Sequence, residues 1–207
     1  MSHFAVAVFT DGTKTVDELL APYMENSCAV PDKKYMKFYE DEECDVDPET
    51  GKSGYWQNPN AKWDWYQVGG RYGGTLRLKD GARADFARVG DCDFSPDEKE
   101  RADAIDFWER VIYGKGAPEE KPFTLYSKDF YVERFGTKEK FAECQALFGT
   151  WAVVTPDGKW YEKGEMGWFA CSDETHEEAL AWDLGFKERF IDTADPDWFV
   201  TIVDCHI

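Results

Sequence analysis

The chain contains no run of about eighteen apolar residues, so no segment reads as a membrane span. Its opening residues, Met1 to Thr10, lack a basic n-region and a cleavage site, and read as a mature strand and not as a signal peptide. Cys-x-x-Cys pairs are absent. The six cysteines, at 28, 44, 92, 144, 171 and 205, are widely spaced. The expectation is reduced thiols in a cytoplasmic protein, in preference to a disulfide framework or a Cys-rich zinc site. Gly-x-Ser-x-Gly is missing, as is His-Glu-x-x-His, because the His176-Glu177-Glu178 run has no second histidine. Neither a P-loop nor Gly-x-Gly-x-x-Gly occurs, and nothing calls for a metal or another cofactor. Positive charge is also scarce: 24 Lys plus Arg face 42 Asp plus Glu, a formal net charge of −18. Direct binding to nucleic acid is therefore disfavoured, since phosphate contacts are made mainly by Lys and Arg.

What is plentiful is aromatic surface. Nine Trp, 10 Tyr and 15 Phe give the chain ample material for a core, which excludes disorder as its dominant state. A length of 207 residues suits a single domain, 1–207.

His3 to Phe9 reads as a central strand, and Trp198 to Val203 as a final one. Thr15-Val16-Asp17-Glu18 has the form of a capping box opening a short helix. Ser95-Pro96-Asp97-Glu98 predicts a helix with Ser95 as N-cap, followed by Ala102, Ile105, Trp108 and Ile112 at helical spacing. Thr137 and Thr175 are caps for two more, while Phe123 to Phe135 is ambiguous. Thr75 to Leu78 and Ala84 to Val89 form one expected hairpin; Trp151 to Thr155 and Lys159 to Glu162, joined by Pro156-Asp157-Gly158, form a clearer one. Between about 28 and 60 the periodicity fades, and six acids crowd into Asp41 to Glu49, so this stretch reads as an acidic, loop-like insertion. It lacks the ligand spacing of an EF-hand. The fold class is α+β: a mostly antiparallel sheet holding both terminal strands, with three to four packed helices.

Three places carry candidate chemistry. The first is Asn58 to Gly74, where Trp63, Trp65 and Tyr66 precede Arg71 between two Gly-Gly pairs. Glycines allow close approach, aromatic faces allow stacking, and a guanidinium suits phosphate or carboxylate. The alternative is that the aromatics are core residues and Arg71 pairs with a neighbouring acid. The second is Lys163 to Phe169, where Glu165 and Trp168 would form another wall of the same pocket, or a tight loop folded onto the core. The third is the pair of termini. If the end strands are neighbours, His3 and His206 approach one another beside Asp204, and two histidines with an Asp can bind metal or move protons. The alternative is a pair of strand-end histidines with no ligand.

The strings NPNAKWDWYQVGGRYGG, TPDGKWYEKGEMGWF and TIVDCHI, with MSHFAVAVF at the start, resemble a family of phage and prophage proteins sharing a Trp-rich Gly-Gly-Arg motif. That resemblance implies an accessory protein acting in the cytoplasm of a bacterial host, possessing an acidic insertion that varies within the family. It also implies that Trp63 to Gly74, Glu165 to Trp168 and Asp204 to His206 belong together.

Three readings follow. In the one the aromatic-Gly-Arg segment favours, the protein captures a nucleotide-derived small molecule, with an anti-defence role, using Trp63, Trp65, Tyr66, Arg71, Glu165 and Trp168 and no catalytic residue. In the second, the acidic surface occupies the basic groove of a host protein. In the third, the chain is a metal-independent phosphodiesterase or nuclease, with His3 and His206 as acid and base and Arg71 stabilising charge at phosphorus. That reading requires the two histidines to share one cleft.

Overall fold

The two ends of the chain form the centre of the molecule. The computed structural model describes residues 2–25, 33–117, 122–124, 126–167 and 171–207. In chain order the elements are β1 (His3–Thr10), α1 (Val16–Leu20), β2 (Lys37–Glu40), β3 (Gly54–Gln57), β4 (Trp65–Val68), β5 (Leu76–Arg77), β6 (Arg83–Ala84) and β7 (Phe86–Arg88). There follow α2 (Glu98–Val111), α3 (Lys128–Phe135), α4 (Lys138–Ala146), β8 (Ala152–Val154), β9 (Trp160–Glu162), α5 (His176–Phe186) and β10 (Phe199–His206). The class is α+β.

The main sheet runs β4-β10-β1-β8-β9, and β7 also pairs with β10. β4 and β7 share one edge of β10, lying beside its last and first residues respectively. All pairings are antiparallel except β1 with β8, so the sheet is mixed. The β1–β10 ladder is continuous from His3↔His206 to Thr10↔Phe199. Alternation sorts its side chains. Ala7, Phe9, Val200 and Ile202 face Trp182, Phe186 and Phe190, on α5 and the wider helical turn Lys187–Ile191 that continues it. Val6, Val8, Val203 and Cys205 face Leu19 and Leu20 of α1 and the indole of Trp63. Each large apolar side chain buried this way contributes about 1.5–3 kcal/mol. α2, α3 and α4 form a smaller core around Trp108, Phe135 and Phe141.

Local signals account for most elements. Thr15 and Thr175 both form complete capping boxes, with Glu18 and Glu178. The β8–β9 hairpin pairs as expected, and Thr137 caps α4. Three expectations need correction. The N-cap of α2 is Asp97, whose carboxylate accepts from the Lys99 and Glu100 amides; the Ser95 hydroxyl instead donates to Asp93 and accepts from Arg77. The hairpin near 75–89 is only two residues deep, because the Asp85 carbonyl accepts from the Ile202 amide and draws β7 onto β10. The acidic stretch, described from residue 33, contains a hairpin, β2–β3, stabilised by cross-strand Phe38–Trp56 and Tyr39–Tyr55 pairs. Its acids serve that hairpin: Asp47 accepts from the Glu49 and Thr50 amides and from the Trp56 indole. Residues 28–32 of the expected insertion, Cys28 among them, lie outside the described residues.

Candidate functional site

One face of the sheet is apolar for most of its length and polar at one end. On the α5 side, the last positions are His3 and Ala5 of β1, Asp204 and His206 of β10, and Trp65 and Gln67 of β4. Register puts them there: His206 is paired with His3 on one side and Trp65 on the other.

The two imidazoles meet edge to face, with ring centroids 4.9 Å apart. Trp65, itself 39% exposed, stacks on His206 at 5.1 Å and presents an edge to His3 at 5.4 Å. His3 Nδ1 lies 2.8 Å from Asp204 Oδ1, and His206 Nδ1 lies 2.7 Å from Asp64 Oδ1. Both partners are carboxylates, which accept, so each Nδ1 donates its proton. Each Nε2 is then the ring atom left for chemistry, and among the described residues neither makes a hydrogen bond.

The carboxylates are themselves fixed. Asp204 is 2% exposed, and its Oδ2 accepts from the Arg71 amide at 2.9 Å. That amide comes within reach because Gly70 turns there with φ +51°, over Asp204; a Cβ on Gly70 would lie 2.5 Å from the Asp204 Cβ. Asp64 accepts from the Trp65 amide at 2.7 Å, and its own amide donates to the His206 carbonyl at 2.9 Å. Tyr72 closes the other side, its hydroxyl donating to the His3 carbonyl at 3.0 Å. Burial, with the Asp204 charge behind it, pushes the Tyr72 phenol up. Cys205 is no nucleophile for this site: it points to the opposite face, and burial pushes its thiol far above the usual range.

The structure brings together His3, His206, Asp204, Trp65 and the backbone of Arg71. It does not bring together the five described residues of the six expected to line an aromatic pocket. Trp63 is 5% exposed in the core on the far face, its indole donating to the Leu20 carbonyl. Tyr66 alternates onto that same face and donates to Asp17, and burial and this bond raise its phenol. Glu165 is exposed, its carboxylate 3.9 Å from Lys62. Trp168 lies outside the described residues. The Arg71 side chain is exposed, with no carboxylate partner among the described residues.

Asp64 was missed in the sequence, although it directly precedes a strand that would carry Trp65 beside His206. Tyr72 was missed for want of any local signal. Beyond His3 and Tyr72 a cavity of about 740 Å³ extends toward α2, α3 and α4. Among the described residues no group of three or more His, Cys, Asp or Glu is arranged to hold a metal ion. Comparison with protein families, with characterised proteins and with solved structures finds no match.

Proposed function

We propose that the protein cleaves a phosphodiester in a nucleotide-derived small molecule, with His3 and His206 as its acid and base. The observation that carries this reading is the pair of touching imidazoles, each anchored at Nδ1 by its own carboxylate with its Nε2 open. Displacement at phosphorus keeps the attacking and leaving oxygens roughly in line, so two separate proton carriers are needed. One neutral imidazole takes a proton from water as its oxygen bonds to phosphorus. The other, protonated, gives a proton to the leaving oxygen as its bond to phosphorus breaks. The Asp partners hold the ring orientation and stabilise whichever imidazolium forms. Arg71, anchored over Asp204 by its amide, supplies positive charge for the phosphoryl oxygens, and the exposed face of Trp65 suits a base. The resemblance to phage and prophage proteins supports a bacterial host cytoplasm as the setting; a host signalling nucleotide as substrate, with anti-defence as the purpose, is our reading of that setting.

The test is release of p-nitrophenolate from the p-nitrophenyl ester of thymidine 5′-phosphate, with EDTA present, alongside a panel of cyclic and linear dinucleotides. The wild type turns over at least one of these, and His3→Ala and His206→Ala each lose about 100-fold or more. Retention of a nucleotide without turnover would return the protein to a capture role. Loss of turnover in EDTA with recovery on adding zinc would replace acid–base catalysis with metal chemistry.

A further inference from the structure

The cavity beside His3 has a strong chemical character of its own. Its walls include Phe107 of α2, Tyr131 and Arg134 of α3, Phe141 of α4, and Lys163. Its volume of about 740 Å³ lies within the range of small-molecule sites. Two cations converge there on one carboxylate: Lys163 pairs closely with Asp183, while Arg134 reaches the same group only at 3.5 Å. Lys163 is further placed over the Trp151 ring, 5.6 Å from its centroid. Arg134 is left poorly satisfied. Its side chain is 16% exposed, its Nε has no hydrogen-bond partner, and its flat faces lie near Phe130 and Phe135. Glu100 and Asp103 also border the cavity, on the exposed side of α2, with Asp103 already paired to Lys99. Arg134 and Lys163 are the cations of a lining that also carries Asp183, Glu100 and Asp103, and of the two Arg134 is the less tightly paired. A largely buried guanidinium held by one long ion pair keeps hydrogen-bonding capacity to spare, and its planar fork matches a phosphate.

We infer that this cavity is a second anion subsite, in which Arg134 receives a terminal phosphate of a substrate whose base packs against the aromatic wall. The inference rests on the phosphodiesterase reading for the identity of the substrate. It names the class: a dinucleotide with a terminal phosphate in addition to the diester that meets His3 and His206.

Isothermal titration of the wild type with phosphorothioate-linked pApA and ApA, which resist cleavage, tests it. pApA is expected to bind about tenfold or more tightly than ApA. Arg134→Gln should erase that difference while leaving ApA affinity unchanged. Equal affinities in the wild type would overturn the inference, and this comparison needs no variant to fold. A preference that survives in Arg134→Gln with its melting temperature retained would overturn it too. Wild type that prefers pApA yet cleaves neither unmodified pApA nor any member of the panel above would refute the catalytic reading and leave the subsite standing. Cleavage of pApA and ApA with equal affinity for both would do the reverse.

Discussion

His3 and His206 sit opposite each other in the β1–β10 ladder, and each donates its Nδ1 proton to a different carboxylate, Asp204 or Asp64. Asp204 is held by the Arg71 amide and Asp64 by the Trp65 amide.

Asp204→Ala leaves the His3 Nδ1–H and the Arg71 amide without their acceptor at a position that is 2% exposed. The expected loss is about 2–3 kcal/mol in urea unfolding, together with loss of turnover. A stability change under 0.5 kcal/mol would show that the carboxylate does not hold this corner.

Gly70→Ala forces an L side chain into φ +51° and a Cβ against Asp204. Destabilisation of about 1–3 kcal/mol is expected, with activity falling further than stability explains, because the Arg71 amide is moved off Asp204. Gly81 also has positive φ, but a Cβ there meets nothing within 4 Å, so Gly81→Ala is the control for strain alone.

Trp63→Ala and Arg71→Ala should separate core from site. Trp63 is sealed between α1 and the sheet, and its removal is expected to cost about 3–5 kcal/mol. The Arg71 side chain is exposed and the variant retains the amide that binds Asp204, so the melting temperature should barely move while kcat falls. A large drop in melting temperature for Arg71→Ala would assign that residue to structure.

Acid stability should report two exposed turns. The Ser95 hydroxyl and amide, with Arg77 beside them, hold Asp93 down to about 2, and Lys159 and Thr155 do the same for Asp157. A carboxylate whose folded pKa lies below its unfolded value near 3.8 adds stability that is complete above that value. The contribution fades as pH falls toward 2. In melts recorded from pH 6 to pH 2, Asp93→Asn and Asp157→Asn should each flatten the decline below about pH 4.

Elements with a local cause were legible in the chain: two capping boxes, the Thr137 cap, the Pro156-Asp157-Gly158 hairpin and the two terminal strands. α3 was not, since its aromatic residues at Phe130, Tyr131 and Phe135 are explained only by the helices they pack against. The expected Ser95 cap gave way to Asp97, because Asp93 took the Ser95 hydroxyl.

The sequence by itself determined the class of fold, the apolar strands at both ends, and the presence of histidines beside an aspartate there. Only the tertiary structure decided which face each residue occupies. Period-two alternation puts Trp65 with His206 and sends Tyr66 to the opposite side, so neighbours in a motif become strangers in space. Long-range register, which no local propensity encodes, joined His3 to His206 and brought Asp64 and Tyr72 to them.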